Sequence, residues 1–167
     1  MKATSRSRAA GALARLAAIA GLLLAASPGS EDPPEPVGQA SSSDGSIAVL
    51  DAVSHPTRGT PMGVVYLRIE NHADEVDRLV SVQSSAARRA QLHETVHDGE
   101  TVKMERRSEL EIPAGGNVEL AQGGLHIMLI GVREPLRSGQ KLPLRLDFER
   151  AGSLLLWVPV VPLESPE

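Results

Sequence analysis

The chain has 167 residues, 41 % of them hydrophobic and 23 % charged, with a formal net charge of -4. That composition fits one globular domain plus a short appended segment, and it excludes fibrous and fully disordered classes. Tyr66, Phe148 and Trp157 are the only aromatics, too few and too scattered for a platform that stacks bases or sugars. With no cysteine, thiolate catalysis, disulfides, Cys-ligated zinc and iron–sulfur clusters are all removed, and so is lipid attachment to an N-terminal cysteine.

Lys2, Arg6, Arg8 and Arg15 precede the apolar run Leu16 to Ala26, which is followed by small residues and Pro28. A basic segment, a short apolar stretch and a small-residue zone make a secretory signal (residues 1–30), with cleavage expected between residues 26 and 30 and a periplasmic destination. The run is too short to span a bilayer, so no stable membrane insertion is expected after cleavage. Removal of those four cations takes the net charge to -8, which argues against nucleic acid as a partner. Residues 31–45 are rich in Pro, Ser and acids and read as a disordered linker. The folded domain is expected over 46–163.

Nine short apolar stretches follow in chain order: 47–53, 64–70, 78–83, 90–94, 101–105, 117–120, 125–130, 142–149 and 154–161. Glycine-bearing turns separate them, among them Asp98-Gly99, Gly115-Gly116, Gly123-Gly124, Ser138-Gly139 and Ala151-Gly152. Short strands at this spacing predict an all-β sandwich or barrel. Alternation is clearest over Leu142 to Glu149, where Leu142, Leu144, Leu146 and Phe148 interleave with charged residues from Arg145 onward; this is a strand with one wet face. Ser85 to Gly99 is the exception. Taken alone it can be a helix, with Ser85 as N-cap and Gly99 as C-cap.

Two metal patterns overlap in that segment. His93, Glu94 and His97 form H-E-x-x-H, the zinc-hydrolase motif, which requires a helix so that the two imidazoles lie one turn apart. Gly99 ends any such helix at once and no third ligand is singled out. The other pattern is H-x10-M-x21-H-x-M, formed by His93, Met104, His126 and Met128, and a chance match to it in a chain of this composition is on the order of one in ten thousand. Two imidazoles and two thioethers are neutral, soft donors that select Cu(I) over Mg²⁺, Ca²⁺ and Zn²⁺. If His126 and Met128 lie on a strand they share a face, and if a hairpin turns at Asp98-Gly99 it carries His93 and Met104 on neighbouring strands. The two patterns therefore need incompatible local structures.

The donor spacing is embedded in Leu92-His93-Glu94, Val102-Lys103-Met104, Ile112-Pro113-Ala114-Gly115-Gly116 and Gly124-Leu125-His126-Ile127-Met128-Leu129, with Tyr66-Leu67-Arg68-Ile69-Glu70-Asn71 upstream. Over roughly residues 47–161 the chain resembles the PCu(A)C-type periplasmic copper chaperones. The resemblance implies a cupredoxin-like Greek-key β-sandwich of about eight to nine strands, binding one Cu(I) through His93, Met104, His126 and Met128. It further implies a monomeric carrier, not an enzyme, that passes copper to a transient protein acceptor such as a cytochrome oxidase subunit or its assembly factor, for the CuA centre. This chain departs from the pattern at Thr95 and Val102, where relatives often carry further methionines, and at Asp51-Ala52-Val53, where a tryptophan is common. His97 reads as a solvated loop residue; His55, His72 and Met62 have no spacing argument and read as surface or core residues.

Overall fold

The structure, a computed structural model, describes residues 37–99 and 101–163. The expected signal segment and residues 31–36 lie outside the described residues. Eleven strands make up the described chain: β1 (Ala40–Ser41), β2 (Ile47–Ser54), β3 (Met62–Asn71), β4 (Asp77–Gln83), β5 (Ala87–Asp98), β6 (Thr101–Arg107), β7 (Leu110–Ile112), β8 (Asn117–Leu120), β9 (Leu125–Val132), β10 (Lys141–Phe148) and β11 (Gly152–Pro159). All nine expected strands are present, and β1 and β7 are additional.

The strands form two antiparallel sheets, one ordered β1-β2-β3-β9-β5-β6 with β8 also paired to β3, the other ordered β11-β10-β4-β7. Only β2–β3, β5–β6 and β10–β11 are sequence-adjacent strands paired as hairpins apart from the short β1–β2. The remaining connections mostly cross between sheets, which gives the cupredoxin-like sandwich expected from the resemblance. The core is aliphatic and lies between the sheets: Ile47, Val65, Ile69, Ile127 and Leu129 from the larger sheet face Leu79, Ile112, Leu144, Leu146 and Val158 from the smaller. The period-2 alternation of β10 explains its half of this core, with Leu142, Leu144, Leu146 and Phe148 buried and the intervening positions less so.

Ordered structure begins before the Ser46 boundary. The Gly38 N–H donates to the Trp157 carbonyl at 2.7 Å and its carbonyl accepts from Ala52 N–H at 2.9 Å, while β1 pairs with β2. Gly38 has φ 77°, and a Cβ there would meet the Ala52 carbonyl oxygen at 2.9 Å, so only glycine allows this approach without a shift. Residues 37–45, expected as linker from composition, are thus tied to the sheet: most of the bonds come from backbone groups, to which side-chain composition is blind, and Ser42 Oγ adds one by accepting from Ile47 N–H at 2.9 Å.

The helix that Ser85 to Gly99 permits is absent. Residues 87–98 form the twelve-residue strand β5, and its ladder to β6 runs as far as the Asp98–Thr101 pair. That leaves a two-residue loop whose first member, Gly99, has φ 61°, as a tight right-twisted hairpin requires. On the other side β5 is paired to β9 from Ala87 to Glu94. Pairing to these two neighbouring strands is tertiary context that overrides the local capping signals.

Candidate metal centre

The ladder register places the four residues of the spacing pattern. His93 on β5 is directly opposite His126 on β9, and Gln91 is opposite Met128. On the far side of β5, His93 is opposite Arg106 and Thr95 is opposite Met104. Side chains directly across a ladder, and at every second residue along it, share a face. His93, His126, Met128 and Met104 therefore all lie on one face of three adjacent strands. It is the face turned away from the core, since Leu92, Ile127 and Leu129 point the other way and are buried.

Within that face the ring centroids of the two imidazoles are 6.1 Å apart, with their planes tilted by 35°. Met128 lies two residues from His126 on the same strand, and Met104 is the diagonal neighbour of His93 across the β5–β6 ladder, about 7–8 Å apart at the backbone and within reach of a long side chain. Exposure divides the set. His126 is 5 % exposed and Met128 8 %, whereas Met104 on the edge strand is 61 % exposed.

Hydrogen bonding assigns the imidazole nitrogens. Nδ1–H of His126 donates to the Gly124 carbonyl at 3.0 Å, which fixes the ring and leaves Nε2 with a free lone pair. The same carbonyl accepts from the Thr95 N–H at 3.1 Å, so the β8–β9 turn ties β5 to the His126 ring. For His93, Nε2–H donates to Gln91 Oε1 at 3.3 Å, and Nδ1 is buried with no partner among the described residues. A buried imidazole nitrogen without a hydrogen bond is uncommon, and a cation bound there would satisfy it. The His93 ring is also disfavoured as imidazolium: burial first, then the neighbouring His126 and Arg106, push its pKa below the ordinary value. Neutral imidazole is the form that binds a metal ion.

The alternative motif fares differently. His93 and His97 share a face of β5 but are four residues apart on a strand, about 13 Å along the chain. Glu94 points to the opposite face and accepts from Arg107 Nε at 2.6 Å, so it is tied up in an ion pair and not poised over a metal-bound water. Among the described residues there is no group of three or more His, Asp or Glu able to hold a metal ion. The H-E-x-x-H spacing here is a consequence of composition, not of a zinc helix.

Sequence reasoning missed Gln91, Arg106 and the Gly124 carbonyl. Each acts across a ladder, and only the register reveals which residue stands opposite His93 or below His126.

Known proteins share this fold. Residues 47–160 match the model of the family described as "Putative lipoprotein LpqE-like". A protein of Leifsonia xyli subsp. xyli (strain CTCB07), described as "Putative lipoprotein Lxx21020", is 39 % identical over 103 residues, 61 % of this chain and 62 % of that protein's length. Among solved structures, the copper-bound PCuAC domain from PmoF2 superposes with a TM-score of 0.63 at 25 % identity, covering 74 % of this chain and 97 % of that domain. The Cu(I) form of DR1885 from Deinococcus radiodurans gives 0.53 at 25 % identity, covering 66 % and 76 %.

Proposed function

The chain belongs to the LpqE-like family, and from that premise we propose that it is an exported copper carrier that holds one Cu(I) between His93, His126, Met104 and Met128. The observation that carries the reading is the shared face: donors spread over 36 residues of sequence converge on three adjacent strands, around a buried and unpartnered imidazole nitrogen. Two solved structures with the same architecture are titled as copper-bound or Cu(I) forms, which supports copper as the cargo.

The chemistry follows from the donors. A d¹⁰ monovalent cation has no strong geometric demand and is well matched to thioether sulfur and imidazole nitrogen. Thioethers need no deprotonation and, unlike thiols, do not form disulfides in an oxidising compartment. His126, fixed by Gly124, and the enclosed Met128 form the part of the site that is ready before metal arrives. Because all four donors are neutral, the ion retains its positive charge, and a thiolate-bearing acceptor such as the oxidase CuA site out-competes them. The result is transfer and not permanent storage.

The test is titration of the apo-protein with Cu(I) against a competing chelator under reducing conditions. One tight equivalent is expected, strongly weakened by Met128→Ala and by His126→Ala. Unchanged affinity in both variants overturns the assignment. Exposure of the loaded protein to a dithiol acceptor domain then separates a carrier, which gives up its copper, from a sequestering protein, which retains it.

A further inference from the structure

The described residues contain three methionines, and all three lie on the same face of the same sheet. Met104 and Met128 belong to the spacing pattern. Met62 does not, and nothing in the sequence singles it out. The β3–β9 ladder pairs Met62 with Ile130 and Val64 with Met128, which makes Met62 the diagonal neighbour of Met128 on their common face. Diagonal neighbours are about 7–8 Å apart at the backbone, and two unbranched side chains can close that gap.

Met62 is 45 % exposed, although its backbone is well fixed. The preceding Pro61 carbonyl accepts from Val132 N–H at 2.9 Å, and the Met62 carbonyl accepts from Thr60 Oγ1 at 3.2 Å. Gly63 packs inward against Leu129 and Leu136. The Met62 backbone is thus held at a defined position diagonal to Met128, with its side chain partly open to solvent, on the β3 flank, as Met104 is on the β6 flank.

We infer that Met62 is a capture ligand for the same cation, forming with Met128 a two-thioether entry point on the β3 side through which Cu(I) reaches the imidazoles. This rests on the Cu(I) reading proposed above. In the exchange one Cu–S bond to Met62 breaks as one Cu–N bond to an imidazole forms. The ion stays monovalent, no proton or electron moves, and Met62 returns to solvent. Entry beside Met128 leaves the β6 flank, with Met104, free for departure.

The experiment uses the folded chain carrying ¹³C-methyl methionine, titrated anaerobically with Cu(I) from a weak chelator and followed by NMR, alongside Met62→Leu, an exposed volume-conserving change. The Met62 methyl is expected to shift with those of Met104 and Met128. Met62→Leu is expected to slow Cu(I) uptake roughly fivefold or more while changing equilibrium affinity less than about twofold. Shifts of Met104 and Met128 without Met62, together with an unchanged uptake rate in Met62→Leu, overturn the capture role and leave the primary site standing. If no methionine methyl responds, the capture role and the primary site both fall.

Discussion

β9 and β6 each contribute sulfur to the same face, under opposite conditions. β9 is hydrogen-bonded to β3 on one side and β5 on the other, and its Met128 and His126 are nearly enclosed. β6 is the edge of the sheet, every one of its residues is exposed, and Met104 stands in solvent. In the proposed copper site, the contrast would let one half hold the ion and the other release it. The half on β9 is built into the sandwich, so binding there needs little ordering of side chains. The half on β6 would have to order on binding, and its exposure is what the proposed acceptor would use.

The largest effect should therefore come from β9. Loss of the His126 ring is expected to cost more than the 10- to 100-fold that a change outside the ligand set typically costs, whereas Met104→Leu should be at least about tenfold milder, a difference of about 1.4 kcal/mol. Competition titrations of the two variants check this, and equal losses would break the distinction between a built half and an open half.

Stability should divide along the same line. Leu144 is fully buried between the sheets, so Leu144→Ala is expected to cost about 2–5 kcal/mol through lost contacts and the cavity left behind. Val102, exposed on the edge hairpin, should tolerate Val102→Ser within about 0.5 kcal/mol. Chemical denaturation of both variants measures the contrast.

The smallest effect concerns the outer face of the second sheet. There Asp147 Oδ1 accepts from Ser153 Oγ at 2.5 Å and from Arg145 Nε at 2.8 Å, and these bonds, Ser153 first, hold its carboxyl below the ordinary 3.8. A carboxyl with a depressed folded-state pKa adds stability above its unfolded pKa, and loses it as pH falls through the lower folded value. As pH falls below about 4, Asp147→Asn should therefore flatten slightly the fall in stability with acid, without altering copper binding at neutral pH. An unchanged slope would show that those bonds do not favour the charged form.

Much of this architecture was readable in the sequence, for reasons that differ from element to element. The alternation of Leu142 to Phe148 and the glycine turns are local signals, and they predicted β10 and its neighbours. β1 and β7 were missed because two or three residues carry no period, and β1 is held by backbone groups of Gly38 and Ser42. β5 was ambiguous because Gln91 to His97 has polar residues on both faces, and only its two partner strands decide its conformation. For the candidate site, donor types and spacing were visible, and a strand placement of His126 and Met128 followed from period 2. The Gln91 bond to His93, the opposition of Arg106 and the diagonal placement of Met62 and Met128 depend on register between strands, which no local pattern encodes.

The most direct test is copper K-edge X-ray absorption on the Cu(I)-loaded protein and on its Met104→Leu, Met128→Leu double variant. A monovalent edge with both nitrogen and sulfur scatterers is expected, with loss of the sulfur shell in the double variant. A first shell of nitrogen and oxygen alone in the parent protein, or a sulfur shell that survives removal of both methionines, would contradict it.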